Sequence, residues 1–212
     1  MKERVIMSID LKSFFASVEC VNRGLDPFKT PLVVADTKRG AGAMTLAVTP
    51  YLRSLGIPSR TRIFEIPKNL KIIYVPPRMK LYEYYSNKVR DIYKSFISEE
   101  DIHIYSIDEV FMDVTDYLKY YKMTDIELAK MIMNKIKEET GLISTCGIGP
   151  NIFLSKVAMD TEAKHNKEFI AKWTFDDIET KLQSLEPLSS VWGIGSRTEK
   201  NLNNLGIKKV KD

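Results

Sequence analysis

The chain has 212 residues, of which 44% are hydrophobic and 28% charged, with a net charge of +4. This length allows one large domain or two to three small ones with ordinary packed cores. A membrane span, a signal peptide and a disulfide framework are excluded, because the apolar runs are short and the two cysteines have no characteristic spacing. We therefore predict a cytoplasmic protein with no membrane partner.

The chain opens with a predicted buried strand, Val5–Ile9, which Asp10 ends. A predicted helix follows over Ser13–Asn22, with Phe14 and Val18 on one face. Asp10 is thus a carboxylate at the carboxyl end of a central strand, just before the start of a helix, where backbone N–H groups favour phosphate. A functional acid and a helix-capping residue are both consistent with this position.

Residues 22–75 are short, basic and interrupted by turns, which predicts a small insert. It contains a predicted strand over Pro31–Ala35 and a helix that begins near Pro50 and ends at Gly56. Between Thr37 and Lys80 there is one acidic residue, Glu65, and there are nine basic residues. The basic residues are Lys38, Arg39, Arg53, Arg60, Arg62, Lys68, Lys71, Arg78 and Lys80. This excess favours a polyanionic partner over a merely solvated basic face.

After Pro76-Pro77 the spacing predicts a helix over Arg78–Ser98, followed by a hairpin. The face of that helix is predicted to consist of Leu81, Tyr85, Val89, Ile92 and Phe96, with its other tyrosines used for packing. Apolar residues alternate on both sides of Asp108-Glu109, so this pair stands at the predicted hairpin tip. Asp-Glu is poor turn chemistry, and paired carboxylates at a tip are suited to divalent metals.

The following segments complete a sheet with helices. A predicted amphipathic helix over Asp125–Glu139 is followed by a buried strand over Leu142–Ile148 and a helix from Ile152 to about Glu162, which carries Lys156. The predicted face of the first of these helices contains Ile126, Ala129, Ile132, Met133 and Ile136. The order predicts an α+β fold that brings Asp10 and Asp108-Glu109 to one sheet edge.

Residues 166–212 change to helix-and-turn composition, with no clear strand beyond Phe169-Ile170. Within them, Gly193-Ile194-Gly195 is a tight turn that opens a helix. Its glycines would let DNA phosphate approach the backbone amides. The turn resembles a helix–hairpin–helix element, although an ordinary helix-start turn has the same pattern.

Four motifs together resemble the Y-family DNA polymerases, the translesion group that includes bacterial polymerases IV and V. They are Ile9-Asp10-Leu11-Lys12-Ser13-Phe14-Phe15-Ala16-Ser17-Val18-Glu19, Tyr105-Ser106-Ile107-Asp108-Glu109, Gly147-Ile148-Gly149-Pro150-Asn151-Ile152-Phe153-Leu154-Ser155-Lys156 and Trp192-Gly193-Ile194-Gly195. Their order and spacing cover nearly the whole chain. The pattern is similar to the polymerase V-like branch of Gram-positive bacteria.

The resemblance implies a right-hand architecture. The ferredoxin-like palm would comprise residues 1–21 and 76–165, the small basic fingers 22–75, and the helical thumb 166–212 with its helix–hairpin–helix element. The family's further DNA-binding domain, the little finger, would be absent from this chain. The implied activity is DNA-directed DNA synthesis in damage-tolerant translesion repair and the SOS response, with low fidelity because the fingers are small and open.

The resemblance also implies a two-metal mechanism. Asp10 and Asp108 would bridge two Mg²⁺ ions, Glu109 would complete the primer-side site, and the backbone carbonyl of Leu11 would add a ligand. These ions would activate the primer 3′-oxygen and stabilise the in-line transition state. Asp113 is a further carboxylate in this region, for which we expect a structural role.

Further implied residues bind the incoming deoxynucleotide. Phe15 matches the steric gate, whose ring excludes a ribose 2′-hydroxyl, and Phe14 is its neighbour. Arg53 and Lys156 match positions that hold the triphosphate. The chain departs from the family where Pro50 stands at a position that is often tyrosine, so the adjacent Tyr51 either replaces that tyrosine or the interaction is missing. A second departure is His165 in place of proline, which we interpret as a boundary residue.

The expected partners are primer–template DNA, bound in part by Gly193, Gly195 and Lys200, and deoxynucleoside triphosphates. A sliding clamp would bind through the absent C-terminal part, and we expect a monomer. The main alternatives are another nucleotidyl transferase or cyclase on a similar palm, and a non-catalytic DNA-binding accessory fragment. A helix–hairpin–helix glycosylase is a third, but it requires a catalytic aspartate well beyond the turn, where only Asp212 remains.

Overall fold

The computed structural model describes residues 3–212. Its strands are β1 Ile6–Leu11, β2 Leu32–Val34, β3 Ala47–Val48, β4 Ile73–Val75, β5 Ile102–Ile104, β6 Glu109–Asp113, β7 Ser144–Gly149 and β8 Ile170–Lys172. Its α-helices are α1 Phe14–Val21, α2 Pro50–Ser54, α3 Met79–Phe96, α4 Tyr117–Tyr121, α5 Asp125–Thr140, α6 Ile152–Thr161, α7 Asp177–Thr180 and α8 Ser196–Asn204. Within the described range, no helix is both long and apolar enough to span a membrane.

The larger sheet has five strands in the order β5-β6-β1-β7-β8. Strand β6 pairs antiparallel with both β1 and β5, and β7 pairs parallel with β8. The chain order β1, helix, β5, β6, helix, β7 is the succession of a ferredoxin-like fold. The predicted α+β class with a ferredoxin-like palm is confirmed.

Strand β1 lies in the middle of the larger sheet because its side chains are apolar on both faces. Ile6, Met7 and Ile9 are all buried, as expected of a strand covered on both sides. The strand continues to Leu11, so the prediction that Asp10 ends it was wrong. Asp10 instead has a cross-strand partner, Glu109, on β6.

A smaller sheet, in the order β3-β2-β4, lies within the basic segment. Val33, Val48 and Leu52 are buried together in its core. Helix α2 begins at Pro50 as predicted, because the Thr49 side chain caps it by accepting a hydrogen bond from the backbone of Leu52. The predicted small insert therefore has its own hydrophobic core.

The chain divides into two compact units. The first contains Asp10 and the described residues before it, Phe96–Met133 and Thr145–Asp212. The second contains Leu11–Ser95 and Asn134–Ser144. The predicted limits of palm, fingers and thumb remain a proposal.

Helix α3 buries a face that overlaps the predicted one at Val89 and Ile92, whereas the predicted Leu81, Tyr85 and Phe96 are only half-buried. Its buried residues are Tyr82, Ser86, Val89, Ile92 and Tyr93. The helix is turned so that the Tyr82 ring packs 4.7 Å from the Phe15 ring, between centroids, and its hydroxyl donates to Glu19 Oε1 at 2.8 Å. The prediction that the helix tyrosines pack inside holds for Tyr82 and Tyr93 but not for Tyr84, which is exposed.

Glu19 forms the polar centre of this contact between α1 and α3. Its fully buried side chain accepts hydrogen bonds from Arg78 Nη2 at 2.6 Å and from Arg78 Nε at 3.0 Å, and it is also paired with Arg23. Although burial acts in the opposite direction, the hydrogen bonds from Arg78, Tyr82 and Arg23 lower the pKa of Glu19. The carboxylate is therefore ionised at neutral pH and ties the two helices together.

Helix α5 differs from prediction at two positions of its apolar face. Ala129, Ile132 and Ile136 are buried as predicted, and Leu128 is buried beside them. Ile126 is 40% exposed and Met133 is half-buried.

Helix α6 packs unusually close to strand β7 because glycines remove the side chains between them. A Cβ placed on Gly147 would lie 1.9 Å from the Ser155 carbonyl oxygen and 2.6 Å from the Met159 backbone nitrogen. A Cβ on Gly149 would lie 2.6 Å from the Ser155 backbone nitrogen. These glycines fix where α6, and hence Lys156, lies relative to the sheet.

We expect Gly147→Ala to destabilise the fold by about 3 kcal/mol or more, because the clashing backbone atoms cannot rotate away. The matched control is Gly42→Ala, whose added Cβ would have its nearest neighbour at 4.0 Å. The control should change stability by less than about 0.5 kcal/mol. Urea unfolding followed by circular dichroism measures both, and equal midpoints for the two variants would contradict the close-packing argument.

Candidate active site

The connection between β5 and β6 carries the two adjacent carboxylates, but only Asp108 lies in the turn where both were predicted. Asp108 lies in the bend and Glu109 is the first residue of β6. The backbone amides of Tyr105 and Ser106 both donate to the Glu109 carbonyl, at 3.0 and 3.1 Å, and close the turn. The Asp108 carboxylate accepts from Ser106 Oγ at 2.7 Å. Side-chain and backbone contacts together fix the conformation of the turn that carries the two acids.

Antiparallel pairing brings Asp10 directly opposite Glu109. The Asp10 side chain is 17% exposed and that of Glu109 is 8% exposed. The sheet thus brings together Asp10 and Glu109 at one edge, with Asp108 next along the chain, as the sequence predicted.

Two lysines from the α6 region balance these carboxylates. Lys156 Nζ lies 2.7 Å from Glu109 Oε1, and Lys164 Nζ lies 3.5 Å from Asp10 Oδ1. Asp160 lies between the two lysines, 3.1 Å from Lys156 Nζ and 2.8 Å from Lys164 Nζ. Lys156 was predicted to hold the triphosphate, and its contact with Glu109 was not predicted. Asp160 was missed, although the four-residue spacing of Lys156, Asp160 and Lys164 is the spacing of side chains on one helix face.

Burial raises the pKa of Asp10 to about 6. The Lys164 ammonium acts against this rise, whereas the Asp108 and Glu109 carboxylates add to it. Burial likewise raises the pKa of Glu109, and Lys156 opposes that rise. Lys164 behaves in the complementary way: burial lowers its pKa, but Asp10 and Asp160 hold it above the ordinary lysine value. The site therefore has less positive charge than its buried carboxylates require.

The donor chemistry of this edge fits a divalent cation. The acids supply hard oxygen ligands, and the buried Glu109 Oε1 has no aligned hydrogen bond although Lys156 Nζ is close to it. Over residues 3–212, however, no three His, Cys, Asp or Glu side chains already surround a metal position. The Asp108 carboxylate accepts a hydrogen bond from Ser106 at Oδ1, which leaves its other oxygen available as a ligand.

The predicted nucleotide-binding residues Phe14, Phe15 and Arg53 belong to the second compact unit. Phe14 is buried with 3% exposure, whereas Phe15 is half-buried and can present its ring. The exposed Arg53 donates to Ser59 Oγ at 2.9 Å. Leu11, whose carbonyl was predicted as a ligand, ends strand β1 with its side chain buried.

The predicted DNA-binding turn lies at the start of α8. Gly193 has a φ of +92°, which an L-residue with a side chain rarely adopts, and Gly195 directly precedes the helix. Gly193, Gly195 and Lys200 are all exposed. The backbone here is therefore accessible to a ligand, as the sequence predicted.

Comparison with known families gives two matches in the same order as the motifs. The model described as impB/mucB/samB family matches residues 9–160, and the one described as IMS family HHH motif matches residues 176–207. The first spans the carboxylates described above together with Lys156. The second contains the Gly193-Ile194-Gly195 turn.

Two relatives from Bacillus subtilis (strain 168) align over most of this chain. "Putative UV-damage repair protein UvrX" is 41% identical over 206 residues, which are 97% of this chain and 48% of the relative. "DNA polymerase IV 2" is 34% identical over 213 residues, which are 99% of this chain and 50% of the relative. The chain spans about half the length of these relatives.

Solved structures show the same relationship. "Crystal Structure of DinB from Sulfolobus solfataricus" superposes with a TM-score of 0.81 at 29% identity, covering 98% of this chain and 59% of that one. "Insertion ternary complex of Dbh DNA polymerase" superposes with a TM-score of 0.83 at 28% identity, with the same two coverages. The chain therefore belongs to the impB/mucB/samB family, and with it to the Y-family DNA polymerases that its motifs resemble.

Proposed function

We propose that this protein is a DNA-directed DNA polymerase that adds deoxynucleotides to a primer 3′-hydroxyl during translesion synthesis. The observation that carries this proposal is the Asp10–Glu109 pair across β1 and β6, with Asp108 beside it and Lys156 and Lys164 against it. Relatives named DNA polymerase IV support the same activity. The damage-repair setting is supported by the relative named for UV-damage repair.

Asp10, Asp108, Glu109 and the carbonyl of Leu11 would hold two Mg²⁺ ions. When bound, such ions lower the pKa of the primer 3′-hydroxyl and neutralise charge that develops on the phosphates. The hairpin contributes rigidity, because the Tyr105 and Ser106 amides fix the backbone on either side of the acids. The chain thus supplies preformed carboxylate positions, which avoids reorganisation during the reaction.

The lysines have a second role in this proposal. Lys156 and Lys164 lie on the carboxylates in this structure, and they would turn toward the triphosphate once cations replace them. Lys164 is the more accessible of the two, with 31% of its side chain exposed against 7% for Lys156. Asp160 contacts both ammonium groups and would keep them oriented.

Phe15 is proposed to select deoxyribose over ribose. Its ring is supported by Tyr82, 4.7 Å away between centroids, and Tyr82 is held in turn by Glu19. A ring with support behind it resists displacement by an added 2′-hydroxyl better than one that is free to move. Arg53, on the exposed part of α2, remains the proposed partner of the triphosphate from the basic segment.

DNA is the proposed macromolecular partner. The accessible Gly193–Gly195 turn and Lys200 would contact phosphates without reading sequence. The neighbouring structure described as an insertion ternary complex supports binding of DNA together with a nucleotide. Clamp contact, low fidelity and the polymerase V-like branch rest on the resemblance and remain predictions. The monomeric state and the cytoplasmic location, the latter inferred from composition, also remain predictions.

A second candidate function is DNA binding without catalysis. It is favoured by the absence, among residues 3–212, of three acidic side chains already grouped around a metal position. The two candidates share the DNA-binding turn and differ in whether metal assembles the three carboxylates. Extension and DNA affinity measured on the same preparation distinguish them.

We expect template-directed primer extension with Mg²⁺ and four deoxynucleotides, and a reduction of at least about 100-fold in Asp108→Ala because several kcal/mol of charge stabilisation disappear. The matched control is Asp113→Asn. Asp113 lies at the far end of the strand that follows Asp108 and pairs with Arg4 at 2.8 Å, so its variant should extend normally. DNA binding without extension by the unmodified chain would favour the non-catalytic candidate, and equal extension by Asp108→Ala would place the site elsewhere.

The pKa of about 6 for Asp10 gives a pH-dependent stability. The folded pKa lies above the ordinary value, so between about pH 4 and pH 6 the folded state binds more protons than the unfolded state. Without metal, we therefore expect unfolding free energy to fall as pH rises through this window. Mg²⁺ should restore stability more at pH 7.5 than at pH 5, because it competes with a proton.

Thermal unfolding at several pH values, with and without Mg²⁺, measures this linkage. Asp10→Asn should flatten the pH dependence and remove most of the Mg²⁺ effect. A profile for Asp10→Asn that matches the unmodified chain would show that another group titrates.

We expect Phe15→Ala to raise ribonucleotide incorporation relative to deoxynucleotide incorporation by about 10- to 100-fold, because the ring no longer excludes the 2′-hydroxyl. Tyr84→Ala is the matched control, since Tyr84 is an aromatic residue that is 58% exposed. Single-nucleotide insertion kinetics with each sugar give the ratio. An unchanged ratio in Phe15→Ala would remove Phe15 from the proposed selection step.

A further inference from the structure

Three aromatic rings connect the carboxylate hairpin to the glycine turn. The ring centroids of Tyr105 and Trp192 are 5.8 Å apart, those of Phe111 and Trp192 are 5.9 Å apart, and those of Tyr105 and Phe111 are 5.5 Å apart. The two contacts of Tyr105 are edge-on, an arrangement that aromatic pairs favour. We call Tyr105, Phe111 and Trp192 the aromatic cluster.

On the hairpin side, two members of the aromatic cluster belong to the same segment as the carboxylates. Tyr105 begins the turn that contains Asp108, and its backbone amide donates to the Glu109 carbonyl at 3.0 Å. Phe111 is two residues after Glu109 on β6, so the two side chains share a face of the strand. A displacement of either ring would therefore also displace the Asp108-Glu109 segment.

On the other side, Trp192 is the residue immediately before Gly193. It is half-buried and also packs against the core formed around α6, which includes Leu154 and Trp173. The turn after it is closed by the Ile194 amide, which donates to the Val191 carbonyl at 3.0 Å. The glycine turn is thus anchored through one large side chain that touches the hairpin and the core together.

We infer that Trp192 is a positioning residue: by holding the glycine turn against the Asp108-Glu109 hairpin, it fixes where the bound DNA backbone lies relative to the carboxylates. The inference rests on the proposed polymerase function, because it needs DNA at the turn and metal at the acids. The contacts of Trp192 on which the inference depends are those with Tyr105, Phe111 and the core around α6. The effect of Trp192 is on the position of the DNA relative to the carboxylates. A small displacement of reacting groups lowers the turnover rate far more than it lowers binding affinity.

The variants isolate the aromatic cluster from the rest of the site. Trp192→Ala removes the shared ring, Trp192→Phe keeps an aromatic contact, and Tyr105→Ala breaks the cluster from its 49% exposed hairpin member. Tyr120→Ala is the matched control, because Tyr120 is 76% exposed and lies outside the cluster. If Trp192→Ala does not fold, Tyr105→Ala carries the test.

Affinity cleavage measures the position of the DNA relative to the carboxylates, and it does not require polymerase turnover. Fe²⁺ in place of Mg²⁺, with ascorbate and hydrogen peroxide, cleaves DNA beside the position where the ion is held. We expect the unmodified chain and Tyr120→Ala to cut the primer strand sharply at its 3′ end. Trp192→Ala and Tyr105→Ala should spread the cuts over neighbouring nucleotides, and Trp192→Phe should sharpen them again.

Kinetics on the same variants should show the corresponding separation. We expect kcat for extension at saturating DNA to fall about tenfold or more in Trp192→Ala, while the Kd for primer–template stays within about threefold. Combining Trp192→Ala with Tyr105→Ala should reduce kcat little further, since both remove one set of ring contacts.

Sharp cleavage and an unchanged kcat in Trp192→Ala would overturn the inference while leaving the polymerase intact, and so would fully additive reductions in the double variant. A lack of focused cleavage and of extension in the unmodified chain would instead overturn the proposed function, and the inference with it.

Discussion

Two carboxylates, Asp10 and Glu109, are cross-strand partners on the antiparallel strands β1 and β6. Because both are largely buried, their electrostatic repulsion has to be offset by nearby positive charge. Burial raises the pKa of both, which shows that desolvation outweighs the lysines beside them. Two features of the first compact unit hold this unfavourable pair of carboxylates in place. The pairing of the strands positions it, and the α6 region supplies the opposing charge.

The opposing charge depends on backbone packing as much as on the lysines themselves. Lys156 reaches Glu109 only because α6 lies close over β7, and that approach requires Gly147 and Gly149. Lys164 lies after α6, in the short 3-10 helix Ala163–His165. Asp160 forms ion pairs with both ammonium groups. A substitution in a buried glycine can therefore alter the electrostatics of acids on another strand.

Local sequence patterns predicted the features that depend on local structure. Alternation on both sides of Asp108-Glu109 located the hairpin, and the apolar run before Asp10 located the central strand. The α+β class followed from the order of these elements. Val89 and Ile92 of the predicted α3 face are buried. Tyr82 was not assigned to that face, because its position is decided by its hydrogen bond to Glu19 and its packing on Phe15, and both partners come from a different helix.

Long-range contacts were the part that the sequence could not supply. The opposition of Asp10 to Glu109 depends on strand register, and nothing near either residue specifies it. The role of Asp160 could have been found from its four-residue spacing to two lysines, whereas the contact of Trp192 with Tyr105 and Phe111 has no local signal at all. Adjacency in sequence also did not show that the Asp108 carboxylate accepts a hydrogen bond from Ser106 Oγ.

The raised pKa values and the lysine contacts together define what the site lacks. If the lysines neutralised the carboxylates fully, Asp10 would titrate near its ordinary value. Its pKa is about 6 instead. A monovalent ammonium at 3.5 Å is thus insufficient for Asp10, whereas a divalent ion in direct contact would bring greater charge to a shorter distance. The Asp108–Ser106 hydrogen bond can be exchanged for such a contact without moving the hairpin backbone, because the Tyr105 and Ser106 amides hold that backbone independently. The fold therefore keeps a rigid set of acids slightly short of positive charge, which is the condition under which binding of a divalent cation is favoured and the lysines become available for another anion.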